Sequence, residues 1–141
     1  GDALAFIAGE DGSCVPVPDN CALATCGDHS YTVCQGQQFK SQSEASCGDL
    51  GMELAFMDDL EENTCVVDAA LAAFGYVNFE ETSYWIANTK DNSPIFPWAA
   101  GEPNTPSDRD IHILRYNNAP YGWNDVSGSV WTWGWVCEST D

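Results

Sequence analysis

The sequence predicts a small α+β domain held together by disulfides. Three observations point there: two helix-start signatures between residues 41 and 75, strand signals at 83–88, 111–116 and 130–138, and seven cysteines in 141 residues. So many cysteines in so short a chain belong to an oxidising, extracellular compartment. A chain of this length makes one domain with a core large enough to fold alone.

The elements follow in order. Residues 1–25 show little periodicity and carry Gly, Pro and Asp with Cys14 and Cys21. They read as an N-terminal extension stapled by disulfides to a body spanning residues 26–141. The stretch from Cys26 to Cys34 reads as a short hairpin closed by its own bridge. Gly27-Asp28 favours a turn, and Tyr31-Thr32-Val33 favours strand. Ser41 and Glu44 form a capping-box signature that opens a helix to about Leu50, ended by Gly51. Asp59-Leu60-Glu61-Glu62 opens a second helix in the same way. Its apolar stripe runs through Leu60, Thr64, Val67, Leu71 and Phe74, and Gly75 ends it. Cys65 falls off that stripe, where a disulfide to the N-terminal arm explains it. Between 89 and 125 lies a segment rich in Gly, Pro, Asn and Asp, with little regular structure of its own. Loops so long in compact domains are usually functional or disordered. The embedded tryptophans argue for order.

Composition excludes several function classes. Four Lys and Arg stand against 22 Asp and Glu, for a net charge of −18. Such a surface repels phosphate backbones and anionic bilayers, so nucleic acid and membrane insertion are not expected. No apolar run is long enough to span a bilayer. Gly1 reads as the start of a mature or trimmed secreted chain, and no Asn-x-Ser/Thr acceptor is present. His29 and His112 lack metal-ligand spacing to a second His or Cys. No nucleophile motif, phosphate loop or zinc signature occurs, and the paired acids at helix starts answer the helix dipole. An enzyme is not expected.

Two tripeptides carry the chemistry: Glu102-Pro103-Asn104, and about twenty residues later Trp123-Asn124-Asp125. Both offer carboxylate and amide oxygens, the hard donors that calcium takes. Pro103 stiffens one arm by fixing φ, and Trp123 anchors the other in apolar surroundings. Two such arms can close on one cation, whose remaining coordination positions accept hydroxyls from outside. Taken singly, each tripeptide is just as well a turn or a core tryptophan beside a polar loop. Together in register they favour a site.

Tyr84-Trp85-Ile86, Trp98, Gly101-Glu102-Pro103-Asn104, Trp123-Asn124-Asp125 and Trp135-Val136-Cys137-Glu138 occur in an order and spacing that resembles the C-type lectin domain. The resemblance covers residues 34 to 138. It implies two helices and two small antiparallel sheets with a long calcium- and sugar-binding loop. In that family Glu-Pro-Asn accompanies sugars with equatorial vicinal hydroxyls, of the mannose, glucose and N-acetylglucosamine type. The resemblance makes Glu102, Asn104, Asn124 and Asp125 the principal calcium ligands, which also hydrogen-bond the sugar. The usual fifth acidic ligand is replaced by Arg109, with Asp108 as the substitute and Asp110 next. Arg109 can instead face an acidic substituent on a glycan. Tyr121 and Trp131 are expected as secondary sugar contacts.

The resemblance also pairs Cys47 with Cys137, and Cys26 with Cys34 as the extra bridge of long-form members. A second family bridge is missing, its positions held by Ile111 and Gly128. Among Cys14, Cys21 and Cys65 one pair is expected, Cys65 with Cys14 or Cys21, leaving one thiol. An odd cysteine and a shallow site together suggest a homo-oligomer, disulfide-linked through that thiol. The function implied is calcium-dependent binding of terminal mannose-type glycans. The alternatives are an acidic calcium-binding matrix or mineral protein, for which the charge argues, and a protein- or ice-binding domain on the same fold.

Overall fold

The computed structural model describes residues 6–8, 14–74, 83–98, 103, 105–115 and 121–139. In chain order the elements are β1 (Phe6–Ala8), β2 (Cys14–Pro16), β3 (Cys21–Cys26), β4 (His29–Phe39), α1 (Lys40–Asp49), β5 (Glu53–Leu54), α2 (Leu60–Phe74), β6 (Ser83–Thr89), β7 (Asp110–Arg115), β8 (Tyr121–Val126) and β9 (Trp131–Glu138). β1 and β2 form their own antiparallel pair. The rest make two antiparallel groups, β3-β4-β9 with β5 on β9, and β6-β7-β8. The groups meet along a single parallel pair, Trp85 with Trp135, so hydrogen bonding runs continuously through seven strands.

The β3–β4 hairpin turns where expected, with Gly27 at φ 62°, but its arms are longer. Cys21 lies directly opposite Cys34, and Cys26 opposite His29. Cys34 is therefore five residues further along β4 than Cys26's partner. That is roughly 16 Å along the sheet, beyond the roughly 7 Å Cα separation a disulfide spans. The expected Cys26–Cys34 bridge is replaced by Cys21–Cys34 across the hairpin and Cys26–Cys65 to α2. Cys65 is thus paired with neither Cys14 nor Cys21. Cys47–Cys137 joins α1 to β9 as expected, across 90 residues.

Both helices form, each with an adjustment. α1 begins at Lys40, and its cap is one-sided: Gln42 Oε1 accepts the Phe39 backbone N–H at 2.8 Å, in place of the Ser41/Glu44 pair. Gly51 at φ 72° supplies the left-handed residue that ends the helix. In α2 the Asp59 carboxylate accepts the Glu62 N–H at 2.8 Å, and Glu62 Oε1 accepts the Asp58 N–H at 2.6 Å. The inward face of α2 is Asn63, Val66, Val67 and Ala70. Leu60, expected on that face, is 56% exposed. Gly75 lies outside the described residues.

The core lies on both sides of the Trp85–Trp135 join. Under α2, whose Val66 faces inward, pack Tyr31, Met57, Ile86, Ile111, Trp123 and Val136. Under α1 pack Leu50, Met52, Leu54, Trp85 and Trp135 around the Cys47–Cys137 bridge. β8 was not expected as a strand, yet it pairs along all six residues with β7. That pairing fixes where Asn124 and Asp125 stand.

Candidate calcium and sugar site

Trp123, Asn124 and Asp125 sit on β8, opposite Ile113, His112 and Ile111 of β7. Trp123 is fully buried, and its indole Nε1–H donates to Asn63 Oδ1 on α2 at 2.8 Å. Its backbone N–H donates to Pro97 O at 2.9 Å, and Trp98 bridges to it alongside. The start of the long loop is thereby stitched to the strand just before Asn124. Trp98 in turn packs against the α2 core and stacks on the exposed Phe96, ring centroids 5.8 Å apart.

Asp125 has no exposed side-chain surface, so its charge needs a cation beside it. Lys90, at the turn after β6, provides one: Nζ lies 2.9 Å from Asp125 Oδ2 and 3.0 Å from the Thr105 carbonyl oxygen. The Thr105 N–H donates to the same Oδ2 at 2.9 Å. The far side of the loop is therefore drawn onto β8 at Thr105, one residue past the Glu102-Pro103-Asn104 run. Glu102 and Asn104 themselves lie outside the described residues, and Pro103 is exposed.

Asp108 is half-buried and its N–H donates to Thr105 O at 3.0 Å, which closes a tight turn. Arg109 turns to Asp91, with Nε 3.2 Å from Oδ2 and a second contact from its terminal nitrogen to Oδ1. The guanidinium holds the Asp91 carboxyl below its ordinary range. Tyr121 opens β8, and its side chain lies outside the described residues. Trp131 is 48% exposed at the start of β9, opposite Phe39 of β4 and edge-on to Trp133. It is thus not on the β7–β8 hairpin that carries Asn124 and Asp125.

Asn124 and Asp125 bring an amide and a carboxylate oxygen to the end of the β8 ladder, and the buried Asp125 carboxylate meets the loop through the Thr105 N–H and Lys90. Carboxylate and amide oxygens are the hard donors that calcium takes. Calcium, once bound there, would supply coordination positions for hydroxyl oxygens.

No family model matches the chain. In sequence it is similar to C-type lectin domain family 4 member C of Homo sapiens, 25% identical over 123 residues, 83% of this chain and 56% of that protein. It is also similar to C-type lectin domain family 6 member A of Mus musculus, 28% identical over 106 residues, 71% and 51%. The chain spans about half the length of these relatives. In structure it matches the C-type lectin domain of murine dendritic cell inhibitory receptor 2 in complex with N-glycan, with a TM-score of 0.66 at 20% identity, over 88% of this chain and 98% of that one. The chain has the C-type lectin fold. It matches equally a Ca2+-dependent type II antifreeze protein in its Ca2+-free form, TM-score 0.65 at 16% identity, over 87% and 99%.

Within this C-type lectin fold, the positions of the missing family bridge are filled in other ways. Ile111 is fully buried, and a Cβ on Gly128 would come within 2.6 Å of an Asp110 carboxylate oxygen. Asp110 is in turn paired with Lys40 Nζ at 2.7 Å. An ion pair thus secures the corner where the resemblance places a disulfide. Sequence reasoning missed Lys90 altogether. Its one visible signal was scarcity, since it is one of only four Lys and Arg in the chain.

A second cluster lies away from the loop. A ring nitrogen of His29, a Glu62 oxygen and a Glu138 oxygen lie within 4.8 Å of one another. His29 meets Glu138 Oε2, the Tyr31 hydroxyl donates to Glu62 Oε2, and Glu138 Oε1 accepts the Phe56 N–H at 3.0 Å. The hydrogen bond to Glu138 raises the His29 pKa above 6.5. Burial raises Glu138, outweighing the opposite pull of His29, and burial with the Glu62 contact raises Tyr31. With each of these side chains engaged, the cluster ties β4, α2 and β9 together as a polar fastening.

Proposed function

We propose that this chain is a secreted, calcium-dependent carbohydrate-binding domain for sugars with equatorial vicinal hydroxyls, the mannose, glucose and N-acetylglucosamine type. In this reading Glu102, Asn104, Asn124 and Asp125 hold the ion, with Asp108 completing the set. Two adjacent sugar hydroxyls then bring lone pairs to the calcium and protons to the carboxylates, and accept from the Asn amides. The observation that carries the proposal is the buried Asp125 beside Asn124 at the end of β8, with Thr105 drawn against it from the loop that bears Glu102-Pro103-Asn104. The C-type lectin fold and an N-glycan-bound structural neighbour support the class of ligand. Preference within that class rests on the Glu-Pro-Asn tripeptide.

A secondary contact comes from Tyr121, which opens β8, while Trp131 stands on β9 opposite Phe39, away from that hairpin. An acidic glycan substituent would reach Arg109 only by competing with Asp91. Because a shallow site binds one sugar weakly, useful avidity comes from several copies. Seven cysteines cannot all pair within one chain, so a disulfide-linked oligomer is part of the proposal. A band at twice the chain mass on a non-reducing gel, lost on reduction, is expected.

The test is retention on immobilised mannan in calcium, with release by a chelator and by free mannose. Release by both is expected, and loss of retention in Asp125→Ala. Failure to bind mannan or any other neutral glycan in calcium overturns the proposal. A second reading, ice or protein binding on the same fold, has the Ca2+-dependent antifreeze neighbour in its favour. Thermal hysteresis from protein that ignores mannan would select it.

A further inference from the structure

Lys90 touches three parts of the candidate site at once. Its ammonium reaches Asp125 Oδ2 on β8 at 2.9 Å and Thr105 O in the loop at 3.0 Å, while its backbone N–H donates to Arg109 O at 2.9 Å. The side chain is only 12% exposed, and its carboxylate partner is fully enclosed. A carboxylate oxygen and a peptide carbonyl drawn together from two separate segments around one positive charge is the arrangement a bound metal cation makes. Here the charge is covalently attached to the chain, with three donors on a flexible stem.

We propose that Lys90 takes the place of a structural cation, fastening the 105–109 loop to β8 through the Thr105 carbonyl and the Asp125 carboxylate. The loop is then seated before any metal arrives. Calcium at the adjacent oxygens has only the sugar-binding task and is not needed to fold the loop. Lys90 is a positioning residue, and only the role of calcium rests on the reading given under Proposed function.

The Thr105 amide is the direct reporter, since its N–H donates to Asp125 Oδ2. The Ala87 amide, bonded to Ala55 O at 2.7 Å in the core, reports global opening. Hydrogen exchange is followed by NMR in chelator and in calcium. In the unmodified protein, Thr105 is expected to be protected in both conditions within a few-fold. In Lys90→Met, its exchange in chelator is expected to speed up at least tenfold while Ala87 holds. Calcium then restores protection in part, and Lys90→Arg lies between. A Thr105 amide protected only in calcium in the unmodified protein overturns the proposal, and that arm needs no variant. So does unchanged Thr105 protection in Lys90→Met, or equal loss at Thr105 and Ala87. The comparison of Lys90→Met with the unmodified protein is made in chelator, so a protein that binds no calcium would overturn the proposed function and leave the role of Lys90 standing.

Discussion

Asn63 is a polar side chain 4% exposed in the face of α2, and it holds the tryptophan that precedes the two candidate ligands of β8. Removing it leaves a buried indole N–H without an acceptor, which costs roughly 2 kcal/mol. Asn63→Ala is therefore expected to lower unfolding stability by that amount in a urea titration; a change below about 0.5 kcal/mol would contradict the assigned hydrogen bond. Beside Glu62, the residue before Asn63 on α2, His29 carries a testable titration. Its pKa is raised first by the hydrogen bond to Glu138, so the fold favours the protonated ring. That contribution is present in full below 6.5, the ordinary His value, and is lost as pH rises through the folded value. Burial has raised Glu138 as well, which acts in the same direction. An NMR titration of the His29 ring is expected to show a midpoint above 6.5 that falls back in Glu138→Gln. A midpoint at or below 6.5 in the unmodified protein would remove the contact. Neither contact was legible in the sequence, because the partners stand 60 and 109 residues apart. The polar types involved read locally as surface.

The hairpin of β3 and β4 shows how far local rules reach among elements. Gly27-Asp28 correctly marked the turn, but the bridge depended on register. Strand pairing extended back to Cys21, which took Cys34 and left Cys26 to α2. Peptide mapping under non-reducing conditions is expected to recover Cys21–Cys34 and Cys26–Cys65, and a recovered Cys26–Cys34 peptide would contradict the register. The Cys26–Cys65 bridge spans 39 residues, so its removal as Cys26→Ser/Cys65→Ser is expected to cost about 4 kcal/mol by the chain-entropy model. Thermal melting of that variant checks it. The α2 stripe was misread for a related reason. Counting apolar residues skipped Asn63 and kept Leu60, whereas the packed face needs Asn63 for Trp123. β8 was passed over because Gly122, Asn124 and Asp125 are poor strand formers. Its conformation is set by pairing with β7, a long-range influence that propensity does not record.

At the scale of the whole molecule, the order of motifs from Trp85 to Cys137 was enough to reach the C-type lectin fold. It could not reach the interior of the site. In a chain of net charge −18 with four Lys and Arg, three of those cations pair with acids around the loop and the β7–β8 hairpin: Lys40 with Asp110, Lys90 with Asp125, and Arg109 with Asp91. Scarce positive charge has gathered where the buried carboxylate stands, beside the oxygen donors assigned to calcium. The most direct measurement is calorimetric titration of calcium into the unmodified protein and into Asp125→Ala, with circular dichroism confirming that the variant is folded. Saturable binding of one ion per chain is predicted, with a dissociation constant on the order of 10⁻⁴–10⁻³ M and further heat on adding mannose, all lost in the variant. A folded Asp125→Ala that binds calcium as the unmodified protein does, or an unmodified protein that binds none, would contradict the account.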